Sequence, residues 1–260
     1  MTGGTLADAL GHSLLAGGLG TAVGTLPVLF VRTIGPRAES ALAGFSAGVM
    51  LAAAFVGLLL PALELAQRAT PATSLATWPV LLGVALGALA IDLLHRAAPH
   101  EHFGKGQEHA QGSKLARVWL FAIALTLHNI PEGLAVGVGV ASGDAQVSWP
   151  VTLSIGAQNV PEGLIVAVAF VAAGQTKTTA LLVTFATGLV EPLGAMIGFA
   201  AVQLVAGLMP AALAFAAGAM LYVVSHEIIP ESHREGRSAV ATFGLMLGVL
   251  LMLQFDAWLG

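Results

Sequence analysis

Eight stretches of this chain, near 10–31, 41–65, 77–95, 117–141, 149–173, 177–203, 208–229 and 238–258, are apolar over the roughly 20 residues a helix needs to cross the hydrocarbon of a bilayer. In lipid every backbone N–H and C=O must find its partner within the protein, so segments of this length predict helices. The expected fold is all-α: one transmembrane domain over residues 1–260 with eight spanning helices. The chain is 57% hydrophobic and only 9% charged, with a mean hydropathy of +0.87, against about 25% charged in soluble domains. It contains no cysteine, so disulfides are excluded and any metal must be held by nitrogen and oxygen. A net charge of −4 gives no reason to expect a nucleic-acid partner. The first basic residue is Arg32, so the first apolar run reads as a retained span rather than a signal peptide.

Connections between the spans are short except for 96–116, where Pro99, His100, Glu101, His102 and His109 lie among Gly, Gln and Lys residues. Assigning alternate loops to one side collects Arg32, Arg37, Arg96, Lys105, Lys114, Arg117, Lys177, Arg234 and Arg237 there and leaves Arg68 alone on the other. Positive charge accumulates on the cytoplasmic side of membrane proteins. The loop 96–116 is therefore expected in the cytoplasm and both termini outside.

Within the fourth and fifth spans two hexapeptides echo each other: His128-Asn129-Ile130-Pro131-Glu132-Gly133 returns as Gln158-Asn159-Val160-Pro161-Glu162-Gly163. Ionisable and amide groups at that depth are costly and mark function by default. The two spans cross in opposite directions, so the motifs meet near the midplane. A second echo relates Gly44–Leu51 in the second span to Ala214–Leu221 in the seventh, slipping by one residue before Pro61 and Pro230. Inverted repeats around a polar site are a common plan of secondary transporters.

Helix geometry supplies the chemistry. His128 and Glu132 stand four residues apart, as do Gln158 and Glu162, so each pair stacks on one helix face with Asn129 and Asn159 beside it. Pro131 and Pro161 have no N–H, which frees the carbonyls of Leu127 and Ala157 to face an ion. Glu191, followed by Pro192, brings a third carboxylate to the same level in the sixth span. No Lys or Arg lies near that depth, so three carboxylates need a positive partner. Mixed imidazole, amide and carboxylate ligation suits Zn²⁺ first, with Cd²⁺, Fe²⁺ and Mn²⁺ as further candidates, over Ca²⁺ and Mg²⁺. The expected metal site lies between the fourth, fifth and sixth helices, and the metal is cargo rather than a cofactor.

On these motifs the chain resembles the ZIP family of zinc and iron transporters, in particular its bacterial GufA-like branch, over essentially all eight spans. The resemblance implies uptake of divalent metal across the bacterial inner membrane through a binuclear site, with one helix bundle sliding against another in an elevator-like alternating-access cycle. By motif position it implies one metal site at His128, Glu132, Gln158 and Glu162. The second is implied at Asn129, Glu132, Asn159, Glu162 and Glu191, with two glutamates as bridges. Family members often carry an acidic residue or histidine where this chain has Gln158 or Asn159, which lowers the second site's charge. The resemblance also implies a cytoplasmic exit site from His100 and His102 with His226, Glu227 and Glu231. Glu64 and Asp256, near outer helix ends, are candidates for the entrance.

Competing classes are a proton-coupled cation exchanger and a selective metal channel. An intramembrane metalloenzyme is disfavoured, because a His-Glu-x-x-His spacing is absent from mid-span. The small-xxx-small pairs Gly83/Gly87, Gly194/Gly198 and Gly244/Gly248 are expected to mark packing within the bundle more than a dimer interface, and a homodimer stays open.

Overall fold

The apolar stretches fold as eight helices long enough to cross a membrane: α1 (Leu6–Leu29), α2 (Pro36–Ala69), α3 (Trp78–Arg96), α4 (Val118–Ala141), α5 (Ala145–Ala172), α6 (Lys177–Leu204), α7 (Met209–Ile228) and α8 (Ser238–Trp258). The structure is a computed structural model that describes residues 4–31, 33–69, 77–97, 114–205, 207–233 and 238–259, and no strand occurs among them. The all-α expectation with eight spans holds. The loop histidines His100, His102 and His109, together with Glu101, lie outside the described residues, as does the side chain of Glu231.

Local signals set the helix ends. Thr5 caps α1 reciprocally with Asp8: the Thr5 hydroxyl accepts from the Asp8 N–H at 3.1 Å, and the Asp8 carboxylate accepts from the Thr5 N–H at 2.8 Å. Asp144 caps α5 through the Gln146 N–H at 2.9 Å, and Thr176 caps α6 through the Thr179 N–H at 3.1 Å. Gly143 (φ 69°) and Gly174 (φ 88°) take the left-handed conformation that makes the α4–α5 and α5–α6 turns tight. These short turns force α4, α5 and α6 to run antiparallel, and that brings residues 128–133, 158–163 and 191 alongside one another.

The helices sort into two groups by contact. In one, α4 packs on α6 and α1 on α5; in the other, α2 packs on α8 and α3 on α7, and the groups meet where α5 touches α2 and α8 and where α4 touches α7. Small residues make these pairings. Between α2 and α8, a Cβ on Gly44 or Gly48 would run into the backbone of Ala241 or Leu245, and one on Gly244 or Gly248 into Ala41 or Phe45. Gly83 and Gly87 do the same for α3 on α7, and Gly194 and Gly198 for α6 on α4. The three small-xxx-small pairs thus serve packing inside this chain, where lipid offers no hydrophobic drive and close backbone approach is the main gain. Leu81, Leu82, Leu86, Leu89 and Leu93 leave an apolar stripe exposed on α3, suited to acyl chains.

The helices depart from regular α geometry at several places, among them the 3-10 turn Leu26–Leu29 that ends α1. α1 widens to a π-helix over Leu14–Leu19, α2 over Ala53–Leu59 and α7 over Val224–Ile228. The latter two stretches end just before Pro61 and Pro230, so the one-residue slip in the second sequence echo falls in the segments whose winding accommodates it. α6 breaks at Leu189–Val190 and restarts at Glu191, with Pro192 in its first turn where no N–H is needed. By contrast α4 and α5 stay helical through Pro131 and Pro161.

One stability result follows from the α2–α8 contact. Gly48→Leu is expected to lower the melting temperature of the detergent-solubilised protein, since overpacking costs about 1–3 kcal/mol. Gly11→Ala, which has nothing within 4 Å of its added Cβ, should leave melting unchanged or raise it.

Candidate metal centre

The two hexapeptides and the restarted half of α6 build a pocket of buried acceptors. Glu132, Gln158 and Glu191 are wholly buried, Asn129 and Asn159 nearly so, and Glu162 is partly buried. Glu162 and Glu191 lie close enough to Glu132 to act on its charge. Each amide nitrogen donates to a specific acceptor. Gln158 Nε2 donates to Glu132 Oε1 at 2.6 Å, and Asn159 Nδ2 donates to Glu191 Oε1 at 2.6 Å and to the Ala16 carbonyl at 3.3 Å. Asn129 Nδ2 donates to the Thr187 carbonyl at 2.7 Å, just before the break in α6.

Beside these bonds, acceptors remain. Asn129 Oδ1, Glu132 Oε2, Gln158 Oε1, Glu162 Oε1 and Glu191 Oε2 are buried and make no hydrogen bond among the described residues. None of the ion pairs found there reaches the three glutamates. Buried acceptors with neither donors nor counter-charge are expensive, and a cation relieves all of them at once.

Backbone choices make this arrangement fit. Gly17, within the π-helical part of α1, has no Cβ, and one placed there would overlap the Glu191 carboxylate. Gly133 lets α4 lie directly against the Glu191 backbone. From the other helix group, the Ser46 hydroxyl of α2 donates to the Gln158 carbonyl at 3.2 Å and interacts with the Glu162 carboxylate.

A second cluster departs from the grouping the resemblance implies. His128 Nε2 lies 2.7 Å from Glu227 Oε2 on α7, and Glu227 Oε1 pairs with His95 Nε2 on α3. All three side chains are buried, and their candidate ligand atoms lie within 4.8 Å of one another. His128 thus faces the other helix group as well as sharing a helix face with Glu132. Glu227 turns inward, apart from His226, which is exposed and stacks on Tyr222 with ring centroids 5.1 Å apart. The resemblance places Glu227 and His128 in different sites, and sequence distance carries no information about which helices adjoin.

Spacing does not single out His95, although a histidine inside an apolar span is itself a signal. It passes over Ser46 as well, because a hydroxyl in a helix normally bonds its own backbone. His12 has a local role: its Nδ1 pairs with Thr152 Oγ1 at 2.8 Å and its ring packs on Trp149. The two entrance candidates lie apart from the acceptor pocket in chain and setting. Glu64 is exposed and pairs with Arg68 at 3.4 Å, and Asp256 is half-buried near the end of α8.

Known proteins give an independent comparison. The family described as "ZIP Zinc transporter" matches residues 92–256. The chain is 45% identical over 248 residues to "Zinc transporter GufA" of Myxococcus xanthus, covering 95% of this chain and 97% of that protein. It is 44% identical over 254 residues to "Zinc transporter ZIPB" of Bordetella bronchiseptica, covering 96% and 82%. A third relative, "Zinc transporter ZupT" of Chlorobium phaeovibrioides, is 35% identical over 258 residues, covering 95% and 96%.

Proposed function

The chain belongs to the ZIP family of zinc transporters, and on that premise we propose that it carries Zn²⁺ into the cytoplasm across a bacterial inner membrane. The observation that carries the reading is the set of five buried acceptor oxygens at Asn129, Glu132, Gln158, Glu162 and Glu191, which make no hydrogen bond among the described residues. Zinc accepts mixed nitrogen and oxygen ligation without a geometric preference of its own, and Cd²⁺, Fe²⁺ and Mn²⁺ are competing cargo. Two ions sharing Glu132 and Glu162 would leave none of the three carboxylates uncompensated, with Asn159 and Glu191 serving the second.

The mechanism proposed is alternating access by relative movement of the two helix groups. Every one of the five acceptors belongs to α4, α5 or α6, in the group that also holds α1, so the pocket can travel as a unit. On the cytoplasmic side, His226 and Glu227 with the loop residues His100 and His102 and with Glu231 receive the ion. Glu64 and Asp256 attract it on the outer side. The orientation follows from the basic residues, with both termini outside and the 96–116 loop inside.

Purified protein in liposomes loaded with a zinc-sensitive dye tests this. Uptake is expected to saturate with external zinc and to be slowed by added Cd²⁺. A flux that rises in proportion to zinc without saturating would favour a channel instead. An uptake rate that scales with an imposed pH gradient would favour a proton-coupled exchanger.

A further inference from the structure

The hydroxyls within the spanning helices keep one habit. Thr25, Thr126, Thr152, Thr187 and Ser225 each donate to a carbonyl three or four residues back in their own helix. Ser46 departs from it. Its side chain is wholly buried, and its hydroxyl leaves α2 for α5, donating to the Gln158 carbonyl at 3.2 Å and reaching the Glu162 carboxylate.

The two ends of this contact belong to different helix groups. Gly44 and Gly48, which seat α2 against the backbone of α8 at Ala241 and Leu245, lie two residues to either side of Ser46. At about 100° per residue, that puts them on the opposite face of α2. Ser46 is therefore held in the frame of α2 and α8, while both of its acceptors ride with the pocket on α5. We propose that Ser46 is a latch, which holds the empty acceptor pocket against α2 and lets go when zinc takes Glu162. The idea rests on the transport reading above and on the movement of the two helix groups that it contains.

Of the two acceptors, the carboxylate is the one that needs Ser46. Gln158 lies inside the continuous helix α5, where its carbonyl already receives the N–H four residues on. Glu162 has a buried oxygen with no hydrogen bond among the described residues, and a buried carboxylate gains from every donor it finds. In the empty pocket the Ser46 proton serves that need. A zinc ion bound to Glu162 supplies the positive partner instead, and the hydroxyl is left with the carbonyl alone. A slide by a single helical turn, about 5.4 Å, carries both acceptors out of reach of a hydroxyl fixed in α2. The contact therefore opposes movement of the pocket while it is empty and opposes it less once it is loaded. Ser46 is a positioning residue in this scheme, acting through Glu162 and not as a zinc ligand.

Spin labels measure the movement directly, since the chain has no cysteine of its own. Gln67→Cys near the end of α2 and Ala145→Cys at the start of α5 are exposed positions in the two groups. Their separation is read by double electron–electron resonance on full-length protein in lipid nanodiscs, with Zn²⁺ alone as probe. In the labelled parent, zinc is expected to shift population from one distance to a second. Ser46→Ala without metal is expected to raise the ratio of the second distance to the first roughly 5- to 10-fold, the size of one such hydrogen bond, and to coincide with the parent at saturating zinc. Glu162→Met keeps the length of the side chain and removes the acceptor. In that background, adding Ser46→Ala should change the metal-free ratio by less than about 2-fold. A metal-free Ser46→Ala protein that matches the parent overturns the latch. So does an effect that persists undiminished with zinc or without Glu162, which marks Ser46 as a packing contact alone. Zinc uptake into liposomes by the same proteins tests transport separately. Uptake without any change of distance rejects the latch and retains transport, while zinc-sensitive distances without uptake reject transport alone.

Discussion

Replacing Glu132 and Glu162 together by alanine is expected to abolish zinc uptake into liposomes while leaving the protein folded. A charge-assisted ligand contributes about 1.5–3 kcal/mol. Two such losses weaken zinc binding by roughly 10²- to 10⁴-fold at 1.4 kcal/mol per decade. The stability effect runs the other way. Both residues hold a buried oxygen without a partner among the described residues, a cost their removal relieves, while the Gln158 amide loses its Glu132 acceptor and the shorter side chains leave space. With these effects opposed, the double variant should melt close to the parent protein in the absence of metal, and should lose the rise in melting temperature that added zinc gives through binding to the folded state. Undiminished uptake would sink the assignment of these glutamates. A variant that fails to transport because it has unfolded would show itself in the metal-free melt.

Most of the acceptor pocket is legible in the amino-acid sequence, because its information is local. His128 to Glu132 and Gln158 to Glu162 are helix-face relationships that spacing alone determines, and Glu191 announces a third carboxylate at their depth. The short connections between these spans, which place those motifs side by side, are legible as well, and Gly143 and Gly174 make two of them tight. What spacing cannot supply is the choice of neighbours. His128 has two faces it can serve, toward Glu132 on its own helix or toward α7, and only the packing of α4 on α7 selects Glu227. His95 enters the same cluster from α3 for the same reason. The π-helical turns in α1, α2 and α7 lie equally beyond pattern reading, since they leave the apolar composition of each span unchanged. Pro192 starts a half-helix while Pro131 and Pro161 stay inside continuous helices, a distinction set by tertiary packing rather than by proline itself.

Gly133→Ala is expected to reduce zinc uptake far out of proportion to its size, because this glycine joins the helix-packing problem to the site. A Cβ there would fall on the Glu191 carbonyl and Cα, so α4 and the second half of α6 must move apart or slide. Glu132 adjoins Gly133 in sequence, and Glu191 is the residue struck. The misfit therefore acts directly on the separation of two carboxylates in the pocket. Overpacking of this kind costs about 1–3 kcal/mol, and if it falls on metal binding the affinity drops roughly 5- to 150-fold. Two neighbours on the same helix separate this effect from general damage. At Gly137, one turn further along, an added Cβ strikes the backbone of Ala195; Gly137→Ala should lower the melting temperature comparably but weaken zinc binding less. At Gly139 the nearest atom to an added Cβ is the Ser148 Cα at 3.6 Å, an ordinary contact, and Gly139→Ala should resemble the parent protein in both respects. Measuring zinc affinity and melting temperature for the three variants checks the order. If Gly133→Ala and Gly137→Ala lose affinity in equal measure, the glycine acts only as a packing contact and the distance between Glu132 and Glu191 is not what zinc binding depends on.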